Sequence, residues 1–297
     1  MWNKKSNLFI IGLFILSLIS IWIPAPSKKE IFQHRMDSKI NNFHGDAGVY
    51  IVDMKNGNGY THKEKEIFPS ASCIKLPVLV ELYLQSYEGK INLDKKVILG
   101  KDRIAKGSGI LPQLDADNPM SIRDLAKLMI ITSDCSAYNY LLDLVGIENV
   151  NIRMKSLGLK NTKVLGKVDY LKGPETLSNN TTWGIGYTTA EDMGLLLGKI
   201  AKREIGDDEI SAEMEDILYG CMNNTRIPRY IDNNKVAHKT GTLLRTYNDV
   251  GFIRSYQHTI IICVLTKNVR LDELITVDSE SELFIASLSR IAYKYLS

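Results

Sequence analysis

The stretch FPSASCIKLPVL, residues 68–79, sets a serine and a lysine three positions apart in an otherwise apolar run. On a helix, residues i and i+3 share a face, so the Lys75 ammonium falls within reach of the Ser72 hydroxyl. Serine is a weak nucleophile until a neighbouring base takes its proton. Lysine serves as that base when burial and a second cation lower its pKa. A single Ser-x-x-Lys is also what a solvated helix face looks like, with the lysine stem covering apolar surface. Two other short motifs weigh against that plain reading. Ser133-Asp134-Cys135 stands at the junction of two expected helices, and Lys239-Thr240-Gly241 on the first strand after the helical block. Lys239 is the natural second cation. Ser72-x-x-Lys75 and Lys239-Thr240-Gly241 each occur once in the chain.

The elements that must hold these groups are legible in outline. AGVYIVDMKNGNGYTHKEK predicts two strands around an Asn-Gly turn at Asn56–Gly59. Helical patterning runs from Ser70 to about Tyr87, with Pro77 tolerable only near the start. SIRDLAKLMIITS opens on Ser121 and Asp124 in a capping arrangement, and two further helices close at Gly146 and Gly158. Residues 159–187 carry no clear periodicity, and a loop that long in a compact domain is usually functional or disordered. Helical patterning resumes in TAEDMGLLLGKIAK and SAEMEDILYGCM. The strand-like runs VAHKTG, NDVGFIRSY and HTIIICVLTK follow, the last two separated by a turn at Gln257, before an amphipathic helix from about Ser279 to Tyr295.

Strands at both ends with helices between predict an α/β (α+β) architecture. Its antiparallel sheet is built from both chain ends and flanked by helices, with an inserted, mostly helical domain. The expected division is 1–27 as a membrane anchor or signal segment, 28–68 with 222–297 as the α/β domain, and 69–221 as the helical domain.

At 44% hydrophobic and 24% charged residues, the 297-residue chain has the composition of an ordinary globular protein. A formal charge of +3, with no block of Lys and Arg, argues against a nucleic-acid partner. The five histidines are scattered and the four cysteines form no Cys-x-x-Cys pair. No metal, cofactor or disulfide framework is therefore expected. Lys4 and Lys5 precede LFIIGLFILSLISIWI, an apolar run ended by Pro24 and Pro26. This predicts an export segment with a cytoplasmic N-terminus. The run is shorter than the roughly 20 residues of a bilayer span, but Trp22 and Ile23 occupy places where a cleavage site wants small residues. The reading favours an uncleaved anchor over a cleaved signal. The rest of the chain is expected outside the membrane, at the cell surface or secreted, as a monomer.

In order and separation the three motifs resemble those of the penicillin-recognising serine enzymes, class A β-lactamases in particular. The resemblance runs from about residue 46 to the C-terminus and includes SIRDLAKLMIITSD and VAHKTGT. It implies that a lactam acylates Ser72 with Lys75 as base. It also implies that Ser133, placed between Lys75 and Lys239, passes a proton to the departing nitrogen. Lys239 and Thr240 would hold the substrate carboxylate, and Gly241 would let the strand approach the ligand. The backbone N–H groups of Ser72 and Thr242 would form the oxyanion hole. The implied partner is a small β-lactam or a peptidoglycan stem peptide.

The sequence departs from the family pattern twice. Cys135 stands where the family has an asparagine, giving a weak donor and acceptor in place of an amide. The family's water-activating glutamate and asparagine, four residues apart, match Glu175 and Asn179. However, the stretch from Thr162 to Thr188 is several residues longer than the family's, Ser178 replaces the usual leucine, and Asp169 is a competing carboxylate. With a working carboxylate the implied function is a β-lactamase. Without one it is a D,D-peptidase or penicillin-binding protein acting on peptidoglycan, or a non-hydrolysing β-lactam sensor domain.

Overall fold

The computed structural model describes residues 25–168, 182–270 and 276–297. The apolar N-terminal run, Asp169, Glu175 and Asn179 lie outside them. Among the described residues no helix is long and apolar enough to cross a membrane. Contacts divide the chain into two compact units, Met1–Ile31 and Phe32–Ser297. In the first, the Ser27 hydroxyl accepts from the Glu30 N–H while the Ser27 N–H donates to the Glu30 carboxylate. This reciprocal cap opens helix α1 (Lys28–Asn41).

In the second unit, strands β1 (Asp46–Asp53) and β2 (Gly59–His62) flank the expected turn. There Gly57 takes a φ of 73°, a left-handed conformation that favours glycine. Three C-terminal strands follow the helical block: β8 (Val236–Leu243), β9 (Thr246–Arg254) and β10 (Thr259–Lys267). The five form one antiparallel sheet in the order β2-β1-β10-β9-β8, so the two ends of the chain meet at β1 and β10. The apolar run of β10 is explained by burial on both faces. Ile261, Cys263 and Leu265 pack into the helical core, whereas Ile260, Ile262 and Val264 join a second core with Phe32, Met36 and Phe284. A strand covered on both sides has no polar face to alternate with.

Helix α2 (Lys75–Tyr87) runs through the helical core and is buried from Lys75 to Gln85. Its apolar residues cover every side, as a central helix requires. Around it stand α3 (Ile122–Ile131), α4 (Cys135–Val145), α5 (Ile147–Ser156), α6 (Ala190–Ala201) and α7 (Asp208–Tyr219). Helix α8 (Glu280–Leu296) lies against the other face of the sheet. Side-chain caps start most of them: Ser121, Asp134, Thr189, Asp207 and Ser279 each accept from a backbone N–H of the first turn.

Two small sheets complete the frame. One pairs β3 (Phe68–Pro69) and β6 (Lys163–Val164) with β7 (Gly186–Thr188), and the other pairs β4 (Lys96–Val97) with β5 (Met120–Ser121). The expectation of one helix from Ser70 is corrected here. Residues Ala71–Ile74 form a 3₁₀ turn, and the α-helix begins only at Lys75.

Candidate active site

Ser72 owes its position to three elements that meet at this 3₁₀ turn. The Ser70 N–H donates to the Gly186 carbonyl of β7 at 3.0 Å. From β9, the Asn248 amide donates to the carbonyls of Pro69 and Ser70 at 2.8 and 3.1 Å. From β8, Gly241 comes so close that a β-carbon there would lie 2.9 Å from both Ser70 O and Ser72 N. Between these contacts Ala71 is held at a φ of 47°, a left-handed value uncommon for a residue with a side chain. Strain of this kind persists where the surroundings over-determine the backbone. It turns Ser72 into the cleft, half-buried, and the Ser72 hydroxyl has no hydrogen-bond partner among the described residues. Because the atoms facing Gly241 are backbone, Gly241→Ala should cost about 1–3 kcal/mol of stability by overpacking. It should also slow acylation, and denaturant unfolding together with burst kinetics would read both effects.

In a 3₁₀ turn, residues i and i+3 eclipse, so Ser72 and Lys75 stay on one side although no α-helix joins them. The Lys75 ammonium is engaged elsewhere. It donates to the Ser133 carbonyl at 2.6 Å and to Ser133 Oγ at 3.2 Å, and reaches Cys135 Sγ at 3.8 Å. Lys239 Nζ donates to the same Ser133 Oγ at 3.1 Å. One hydroxyl therefore sits between two buried ammonium groups. Burial, reinforced by the positive charge of Lys239 and opposed by Cys135 and Asp134, pulls the Lys75 pKa down to about 8.

Ser133 adopts a φ of 57° and is itself tied in place. Ser108 Oγ donates to the Ser133 carbonyl at 2.6 Å and lies 3.3 Å from Cys135 Sγ. Asp134 is fully buried and structural: its carboxylate accepts from the N–H groups of Ser136, Ala137 and Leu111. Cys135 lines the cleft rather than facing away from it.

Behind β8, Arg226 holds the strand from below. Its guanidinium donates to the carbonyls of Gly241 and Asn248, to Thr242 Oγ1 at 2.6 Å and to the Glu282 carboxylate at 2.9 Å. The resulting cleft, about 460 Å³, is lined by Ser72, Ser133, Cys135, Lys239, Thr240 and Thr242, with Met222 at its rim. That volume suits a small molecule. Sequence reasoning named Ser72, Ser133, Cys135, Lys239, Thr240 and Thr242 of the cleft lining, and missed Ser108, which also lines it, and Arg226 and Asn248, which hold its walls. No spacing signals these three, because each acts through contacts far along the chain. The proposed water-activating pair and Asp169 lie outside the described residues.

Comparison with known proteins agrees with this geometry. A model of the β-lactamase enzyme family matches residues 31–296. β-Lactamase BRO-1 of Moraxella catarrhalis is 25% identical over 222 residues, which cover 72% of this chain and 67% of that protein. The imipenem-hydrolyzing β-lactamase of Enterobacter cloacae is 29% identical over 159 residues, 52% of each chain. The crystal structure of a β-lactamase from Sphaerobacter thermophilus superposes with a TM-score of 0.79 at 26% identity, covering 89% of this chain and 96% of that one. PBP-A shares the fold with a TM-score of 0.77 at 24% identity, covering 89% and 95%. The chain belongs to the β-lactamase enzyme family and is a serine hydrolase of that type.

Proposed function

We propose that the protein opens β-lactam rings in the manner of class A enzymes, through an acyl-enzyme on Ser72. The observation that carries this reading is the shared hydroxyl: Ser133 Oγ accepts from both Lys75 and Lys239 in the cleft that Ser72 lines. Ser72 Oγ attacks the lactam carbonyl and gives its proton to neutral Lys75. The oxyanion is stabilised by the N–H groups of Ser72 and Thr242. As the ring C–N bond breaks, Ser133 protonates the nitrogen and recovers a proton from Lys75. Lys239 and Thr240 hold the substrate carboxylate by a charge-assisted contact. Water then hydrolyses the ester, with Glu175 as the base that takes its proton.

A second reading, a D,D-peptidase or penicillin-binding protein, is favoured by one observation, the departure of the 162–188 stretch from the family pattern, where Ser178 replaces the usual leucine and Asp169 competes with Glu175. The deciding experiment follows a chromogenic cephalosporin through burst and steady state. Hydrolysis gives both phases, and Glu175→Gln keeps the burst while suppressing turnover. A burst of one enzyme equivalent with no steady state overturns the β-lactamase reading in favour of the peptidase.

Since Cys135 lines the cleft, Cys135→Asn should raise turnover of lactams bearing an acylamino side chain, because an amide pairs with that group where a thiol cannot. Unchanged KM and kcat would show that the loss of the asparagine is compensated elsewhere. We further propose that the N-terminal run, with Lys4 and Lys5 before it, anchors the catalytic unit on the outer side of the cytoplasmic membrane. Fractionation of cells expressing the full chain should then leave activity with the membranes. Release into the medium would instead mean a cleaved signal.

A further inference from the structure

Lys75 must release one partner before it can serve another. Its ammonium donates to the Ser133 carbonyl at 2.6 Å, a shorter bond than it makes to Ser133 Oγ or to Cys135 Sγ. An asparagine at position 135 would offer the lysine an amide oxygen, but the thiol there, 3.8 Å away, is a weak acceptor. The Ser133 carbonyl is therefore the main hold on the lysine. To take the proton of Ser72 directly, Lys75 has to leave it.

That carbonyl has a second donor. Ser108 Oγ reaches it at 2.6 Å from the loop that precedes α3. The loop is fastened to the Ser133 turn on both sides of Ser108. The Ala105 N–H donates to Ser136 Oγ at 2.9 Å, the Cys135 N–H to the Ser108 carbonyl at 2.9 Å, and the Leu111 N–H to the Asp134 carboxylate at 2.9 Å. Held in this way, the Ser108 hydroxyl stays on the carbonyl when the lysine moves. The other donor near the carbonyl among the described residues is the Cys135 thiol at 3.9 Å, a weak one. Ser108 lines the cleft, so a substrate bound there covers this corner and keeps water from replacing the lysine. A carbonyl left bare under such cover is costly.

We propose that Ser108 is a positioning residue for acylation: its hydroxyl keeps the Ser133 carbonyl bonded while Lys75 leaves that carbonyl for Ser72. The inference rests on acylation of Ser72 with Lys75 as base, a step that the β-lactamase and peptidase readings share. In that step the bond from Ser72 Oγ to the lactam carbon forms and the ring C–N bond breaks. The Ser72 proton goes to Lys75, and the nitrogen takes its proton from Ser133, which Lys75 replenishes. The groups facing Lys75 are Lys239 from β8, Asp134 and Cys135 at the start of α4, and the Tyr138 ring at 5.6 Å. Ser108 adds no charge to them. Without it the Ser133 carbonyl would bond the ammonium alone and more strongly, which favours the charged lysine.

The test follows ring opening of a chromogenic cephalosporin by an excess of the full-chain protein, so that each molecule of lactam reacts once and deacylation drops out. Ser108→Ala should slow the saturating rate on the order of 10–100-fold, the cost of one bared carbonyl. The half-saturating concentration should stay as in the parent. The rise of the rate with pH should move above the parent's midpoint of about 8. Ser108→Thr keeps the hydroxyl and should restore both rate and profile. Both substitutions fall on an exposed side chain, where folding tolerates them. Ser108→Ala reacting at the parent's rate overturns the proposal, and leaves the proton to pass through Ser133 with Lys75 in place. So does Ser108→Thr as slow as the alanine variant, or a loss confined to the half-saturating concentration. A parent that opens no ring defeats the acylation reading itself, and the role of Ser108 with it.

Discussion

Replacing Ser72 by alanine should abolish covalent capture of a β-lactam, while Ser70→Ala should leave capture intact. The two serines flank Ala71, and the left-handed turn at Ala71 separates their fates. Ser72 lines the cleft, whereas Ser70 is fully buried with a hydroxyl that has no partner among the described residues. Losing the Ser70 hydroxyl removes an unsatisfied polar atom, so that variant should be as stable as the parent or slightly more so. Intact-protein mass after incubation with penicillin settles the matter in a Glu175→Gln background, where the acyl-enzyme should persist: one adduct with Ser72 and with Ser70→Ala, none with Ser72→Ala. An adduct surviving on Ser72→Ala would mean a different nucleophile.

Lys75→Ala should slow acylation by on the order of 10²–10⁴-fold, the usual cost of a missing general base. The parent's pH profile carries a second check on the same residue. Only the neutral amine accepts a proton, and burial beside Lys239 brings its pKa down to about 8. Acylation should therefore rise with pH through about 8 and then level off. In Lys75→Ala that rise should vanish with the rate. A rise that survives the substitution would assign the titration to another group. The ammonium in this structure points to Ser133 and not to Ser72, so attack requires either the neutral amine to turn towards Ser72 or the proton to pass through the shared hydroxyl.

Much of the architecture was legible because it is local. The β-branched residues of β10, the Asn-Gly turn before β2 and the serine caps of α3 and α8 each declare themselves within a few residues. Ser72, Lys75 and the Lys239-Thr240-Gly241 strand were legible for the same reason. What escaped was set by distant contacts. The helix expected from Ser70 gives way to a 3₁₀ turn where Asn248, 178 positions away, bonds the Ser70 carbonyl and Gly241 abuts the backbone. Arg226 is an ordinary loop arginine until Glu282, Thr242 and two carbonyls close around it. The strands β3, β6 and β7, two or three residues long, are too short to show any period, yet one of them fixes the nucleophile's turn.

The pairing of β1 with β10 governs when this protein can fold. His258 meets the Asp53 carboxylate across 205 positions, and the whole helical block is made between the two. Such high contact order makes closure of the sheet a late and slow event, since the loop entropy is lost before the strands reward it. Until β10 leaves the ribosome, β1 has no neighbour on that side and exposes an unpaired edge. A nascent chain of this kind remains a thread for most of its synthesis, which is the form a translocation channel accepts. The same interval leaves a bare strand open to aggregation.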